Sequence, residues 1–175
     1  MAWYDNVFEL IDMRSFSNLW YWIALAVMWS SASHFVLGVP FDLVGRARRH
    51  GGQAEQDLED IVRVNVNRRL YVARAAGLWL VGLGAAFFTT LGLLGFLYRI
   101  EFAQALFLLL LPMSFVALMG LSVAHRIRAE RIGGEDLCRL LARHRFWIQV
   151  LGMIAIFITA MWGMWQNMHL GVLRG

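Results

Sequence analysis

His34 is the residue best placed to do chemistry. It closes the run Ser30-Ser31-Ala32-Ser33-His34 inside a long uncharged stretch, with hydroxyls at positions 30 and 33. An imidazole within a membrane can give an axial nitrogen to haem or a pigment. A bis-histidine site needs a second ligand at similar depth, whereas His125 and His144 both fall at the ends of apolar segments. The plainer reading, an interfacial histidine bonded to serine or backbone, is adopted, and no cofactor is expected. Cys138, the only cysteine, neighbours Arg139, whose charge could lower the thiol pKa. It also shares an amphipathic turn with Leu137, Leu140 and Leu141, which reads as a small apolar residue. A lone cysteine excludes an intramolecular disulfide and a multi-cysteine metal site. No glycine-rich phosphate loop follows a strand, no carboxylates pair, and no Ser-His-Asp set can be assembled, so catalysis is not expected.

The remaining chemistry is arginine. All 16 basic residues of the 175-residue chain are arginines, and two groups stand out: Arg46, Arg48 and Arg49, then Arg126, Arg128 and Arg131. Juxtamembrane basic residues gain roughly 1 kcal/mol each beside an anionic leaflet. These six are therefore the candidates for contacting lipid or a protein partner, and nucleic acid is not an expected partner.

The elements that must position them are membrane helices. The chain is 59% hydrophobic with a mean hydropathy of +0.57 and only 16% charged residues, against about a quarter in soluble domains. No Asp, Glu, Lys or Arg lies between Arg14 and Asp42, Arg74 and Arg99, Glu101 and Arg126, or Arg145 and Arg174. Each gap exceeds the ~20 residues that cross a hydrocarbon core. Spans are predicted over about 18–39, 75–98, 102–124 and 146–168, with Ser17 as the first N-cap and Pro40 at the exit. Only Arg99, Ile100 and Glu101 separate the second and third spans, which makes them antiparallel neighbours. The N-terminus carries Asp5, Glu9 and Asp12 and no positive n-region, so the first span should stay in the mature protein. Trp3 to Ile11 reads as a short interfacial helix with Asn6 and Glu9 at capping-box spacing.

Thirteen of the sixteen arginines fall in the loops 40–74 and 125–145, while Arg14, Arg99 and Arg174 are spread over the other three segments. With four spans both loops share a side, and the positive-inside rule makes it cytoplasmic and the termini external. In the first loop Glu55, Asp57, Glu59 and Asp60 open a helix that runs on into the second span. The period-two alternation of residues 62–67 offers a strand instead, but a strand without a partner is disfavoured. Arg46-Ala47-Arg48-Arg49-His50-Gly51-Gly52 matches Arg128-Ala129-Glu130-Arg131-Ile132-Gly133-Gly134 at five of seven positions. Either a two-helix unit was duplicated in parallel orientation, or two glycine-broken loops converged. Ala26 with Ser30, Gly77, Gly82, Gly84, Gly92, Gly95 and Gly120 are read as close-packing seams within the bundle, with a homo-oligomer as the other outcome. Pro112 should kink the third span.

The residues from Trp3-Tyr4-Asp5 through Ile11-Asp12-Met13-Arg14-Ser15-Phe16-Ser17-Asn18-Leu19-Trp20-Tyr21-Trp22, with Ser30 to His34 and Val64-Asn65-Val66-Asn67-Arg68, carry a resemblance. Over most of its length the chain resembles small polytopic alphaproteobacterial membrane proteins described as components of the SufBCD complex. That resemblance implies an association with iron–sulfur assembly; one cysteine provides no cluster ligand set. The expectation is an all-α, four-helix transmembrane bundle in the bacterial inner membrane, acting as a non-enzymatic accessory or scaffold protein toward membrane lipids and a cytoplasmic or membrane protein partner. The alternatives are a small transporter or channel-like bundle and a haem- or pigment-binding protein using His34.

Overall fold

The computed structural model describes Phe16 and residues 19–172; the predicted interfacial helix, the Ser17 cap, Arg14 and Arg174 lie outside them. The described residues are helical apart from one miniature hairpin and short turns. Its elements are α1 (Leu19–His34), β1 (Phe35–Val36), β2 (Val39–Pro40), α2 (Phe41–His50), α3 (Gly52–Gly92, followed by a π-turn over Leu93–Leu97), α4 (Glu101–Glu130) and α5 (Gly134–Val172).

The helix α1 stops five residues before the predicted exit. Leu37 and Gly38 both take positive φ, 54° and 80°, the pairing of a type I′ turn that joins two twisted strands. Phe35 pairs with Pro40 and Val36 with Val39. A left-handed leucine is costly, and the burial of Val36, Leu37 and Val39 offsets it. Pro40, pre-set at φ −58°, then leads into α2.

Two consecutive left-handed glycines, Gly51 (φ 59°) and Gly52 (φ 54°), separate α2 from α3. The Gly51 N–H donates to the Ala47 carbonyl and closes α2. From there α3 runs 41 residues without interruption, about 60 Å at 1.5 Å per residue. Leu58, Val62, Val66 and Leu70 are buried at four-residue spacing while Val64 is 63% exposed. The alternation over 62–67 is thus helical, and the strand reading falls because only every fourth residue has a core to enter. At the far end the π-turn and a left-handed Arg99 (φ 57°) reverse the chain, and α3 and α4 pack side by side.

The segments 40–74 and 125–145 are largely helical: the helix expected from Glu55 into the second span is α3, whereas α2 and the extensions of α4 and α5 were not expected. The helix α4 continues past the predicted end at residue 124 to Glu130, and α5 starts at Gly134, twelve residues before the predicted span. Arg131 in the left-handed region (φ 50°) terminates α4. Apolar side chains in these extensions give the helices a reason to persist. Val44 and Ala47 of α2, Leu58 to Leu70 of α3, Ala124 and Ile127 of α4, and Leu137, Leu140 and Leu141 of α5 enclose the hairpin in one core. A second, smaller core joins Leu25 and Trp29 of α1 to Ile148 and Ala155 of α5. There Gly152 admits the indole: a Cβ at that position would lie 2.8 Å from Trp29 Cε3.

Among the described residues three helices are long and apolar enough to cross a membrane: Gly52–Leu97, Glu101–Glu130 and Gly134–Met168. As described, α1 has 16 residues, ~24 Å of rise. The apolar windows of the three long helices are mostly exposed on the isolated chain, as lipid-facing surfaces must be. The small residues divide. Gly95 and Gly120 sit in seams, where an added Cβ would meet Gln104 at 3.0 Å and Arg69 at 3.2 Å. By contrast a Cβ on Gly77, Gly82 or Gly84 would meet nothing within 4 Å, and Ala26 and Ser30 are exposed. These five positions are not seams within the described chain.

Candidate functional site

The six arginines singled out from sequence divide between two surfaces of the arginine-rich end. Arg46, Arg48 and Arg49 are exposed on α2. Arg46 borders a shallow groove of about 300 Å³ with Asp57 and Asp60 of α3. Arg126 and Arg131 line a larger groove, about 570 Å³, between the end of α4 and the start of α5. Arg128 is exposed on α4 and lines neither groove. Two further arginines on the wall of the larger groove, Arg139 and Arg143, were not among the candidates. Their four-residue spacing places them on one face of α5, a signal hidden while that segment was read as a loop.

Charge pairing on this surface is local and exposed. Arg126 Nε bonds Glu130 Oε1 and Oε2 at 3.1 and 3.2 Å, and Arg139 bonds Glu135 at 2.7 Å. Such exposed helix-surface pairs add little to stability. The carboxylate beside Arg139 holds its guanidinium pKa above the usual value. Arg131 and Arg143 form no ion pair with a described residue.

Under the surface lies a layer of positive charge between the two cores. Arg69, half-buried on α3, faces Gly120 of α4 and has its pKa lowered by burial and by Arg68. His144 of α5 is 4% exposed, and burial together with Arg69 lowers its pKa. It is therefore held neutral at pH 7. Arg145 stacks its guanidinium over Phe41, 4.0 Å from the ring centroid, and its buried Nε meets no described acceptor.

The two glycine pairs are locally alike and differ in surroundings. Gly52 and Gly134 both take φ near 60° at the first turn of a helix. Around Gly51 and Gly52 there is open space, whereas Gly133 and Gly134 abut α3. The Gly134 N–H donates to Glu59 Oε1 at 2.6 Å, and a Cβ at Gly133 would lie 2.7 Å from the same oxygen. Glu59 thus supplies a carboxylate to the positive end of the α5 dipole, locking the α4–α5 turn onto α3.

Cys138 packs as the small apolar residue that its turn with Leu137, Leu140 and Leu141 implied. Cys138 is buried, and desolvation with the carboxylates of Glu55, Glu135 and Glu59 raises its pKa, against a smaller lowering by Arg48. Arg139, its sequence neighbour, points its charge at Glu135 instead. His34 is exposed and meets the Phe35 ring edge-on at 4.9 Å. His125 Nδ1 lies 3.0 Å from the Leu121 carbonyl of its own helix. Among the described residues no group of three His, Cys, Asp or Glu side chains could hold a metal.

No family model, curated protein or solved structure matches this chain. Its site is read from its own geometry: a packed helical platform, a basic rim, and a groove with two free guanidiniums. At the other end of the helices the polar side chains are engaged. Gln104, 3% exposed, donates to the Gly95 carbonyl at 2.7 Å. Its Oε1 accepts from Trp162 Nε1 at 3.0 Å and Gln166 Nε2 at 2.8 Å. Thr90, Ser114 and Thr159 bond carbonyls of their own helices.

Proposed function

We propose that this chain is a non-enzymatic accessory or scaffold protein of the bacterial inner membrane. It crosses the bilayer four times with both termini outside. Its cytoplasmic helical platform touches anionic lipid through its rim and a protein partner through α2. The platform core carries this reading: the hairpin and four helices bury one another at the arginine-rich end of the chain, which a chain needing only short connections between spans would not require. Thirteen arginines against eight acids on that side support the orientation. With α1 as a fourth span, its packing on α5 through Trp29 and Gly152 joins it to the bundle. The resemblance to components of the SufBCD complex makes a cytoplasmic iron–sulfur assembly complex the first partner to seek.

Orientation has a direct test. In a Cys138→Ser background, Gly51→Cys should label with an impermeant thiol reagent only after permeabilisation, and Ala2→Cys in intact cells. Labelling of position 51 in intact cells would reverse the topology.

Partner contact is tested separately. Replacing Arg46, Arg48 and Arg49 with glutamine should leave insertion intact, because ten arginines remain inside against three outside. Recovery of co-purifying protein in mild detergent should drop several-fold, and wild-type recovery should weaken between 50 and 300 mM salt as screening shortens to below ~10 Å. Unchanged recovery from the triple variant would reduce the cluster to a topology signal.

A further inference from the structure

The larger arginine groove does not end at the surface of the platform. A second groove of about 230 Å³ follows the same two helices toward their apolar halves, and Arg126, Leu140 and Arg143 line both. Beyond these shared residues its walls are Met119, Ser122 and Val123 of α4 with His144 and Trp147 of α5. Met119 to Val123 belong to the uncharged stretch between Glu101 and Arg126, and Trp147 is 54% exposed one turn past Arg143. A charged mouth thus opens into an apolar trough at the level where a tryptophan marks the interface.

We propose that this composite groove is a specific site for an anionic phospholipid, with the phosphate between Arg126 and Arg143 and an acyl chain along Met119 and Val123. It rests on the placement of this end of the helices at the inner leaflet. Four observations converge on the site. The mouth holds four arginines against Glu130 and Asp136, an excess of positive charge. Arg131 and Arg143 have no ion pair to give up to a ligand. Arg126 is held only by an exposed partner on its own helix, a pair that costs little to exchange. His144, buried beside Arg143 on the wall of the smaller groove, is held uncharged by burial and Arg69, which leaves the positive charge there to Arg126 and Arg143. A soluble anion would use the mouth alone; the trough answers to the rest of a lipid. Basic pockets between membrane helices on the cytoplasmic side bind acidic headgroups by this combination of charge and depth.

The full chain in mild detergent should bind phosphatidylglycerol at least tenfold more tightly than phosphatidylcholine, read by native mass spectrometry. Arg126→Gln with Arg143→Gln should lose roughly 30-fold of that affinity, two phosphate contacts at the scale expected near a charged surface. The Ser122→Trp variant keeps every arginine and fills the trough, and should also lose several-fold. Cys138 must stay unreactive toward thiol reagents in each variant, which certifies the fold. Replacing Arg46, Arg48 and Arg49 should change lipid affinity by less than twofold. Wild-type selectivity that survives both groove variants overturns this site and leaves a diffuse basic face. Absence of any preference in the wild type overturns the lipid contact of the proposed function as well. Sensitivity to the arginine pair with indifference to Ser122→Trp overturns the lipid and assigns the mouth to a free anion.

Discussion

Leu141→Ala lowers the stability of the protein by about 2–5 kcal/mol, the range for emptying a leucine site in a closed core. Leu141 is fully buried on α5 and belongs to the cluster that joins the hairpin, α2, α3 and α4. A close-packed core of this kind relaxes only partly around a lost side chain, so most of the cavity should remain. The loss should appear as a lower thermal midpoint in mild detergent. It should also appear as faster modification of Cys138, which is buried three residues earlier on the same helix. Leu118→Ala provides the contrast: that side chain is 59% exposed on α4 and its removal should move the midpoint little. Equal midpoints for the two variants, or a Cys138 that stays unreactive in Leu141→Ala, would falsify the claim that the arginine-bearing segments form a cooperative core.

Gln104→Leu is the second large effect, at the opposite end of the helices. The substitution roughly preserves length and volume while deleting one donor and one acceptor that serve three bonds, to Gly95, Trp162 and Gln166. Within an apolar surround the released carbonyl, indole N–H and amide have no water to turn to. Interhelical bonds in membranes average ~0.6 kcal/mol and reach ~1.7, so losing three should cost roughly 2–5 kcal/mol. Gln104→Glu retains an acceptor for Trp162 and should lie between the two. The damage should be local: Cys138 stays protected while the thermal midpoint falls. A Gln104→Leu protein as stable as wild type would mean that the bonds form only at the expense of equally good alternatives.

Charge-free gaps made the apolar helices legible, because in hydrocarbon composition decides placement almost alone. Their ends were not, because what ends them is conformational. Leu37 adopts a left-handed φ that leucine does not advertise, and the hairpin it permits cuts α1 short. The platform was partly visible. Leu58, Val62, Val66 and Leu70 carry their four-residue spacing in plain sight, but Val64 between them masks it as alternation. Arg139 and Arg143 could be placed on one wall only once Gly134 was known to begin a helix. Glu59 capping that helix across 75 residues of chain is a tertiary fact that no local pattern encodes. The Cys138 pKa is likewise tertiary in origin: burial raises it most, and two of its three carboxylate neighbours, Glu55 and Glu59, come from α3.

The unbroken course of α3 has a mechanical meaning. One rod of 41 residues belongs to both the platform and the apolar bundle, with no hinge glycine taking positive φ between Gly52 and Gly92. The stretch from Gly52 to Arg74 acts as an arm of ~35 Å. Helix tilts in bilayers vary by tens of degrees with thickness and neighbours, and a 10° change carries the tip of such an arm by ~6 Å. In the proposed placement the α4–α5 turn, held to α3 by Glu59, would travel with the tip of that arm, so the arginine groove would follow the tilt of α3.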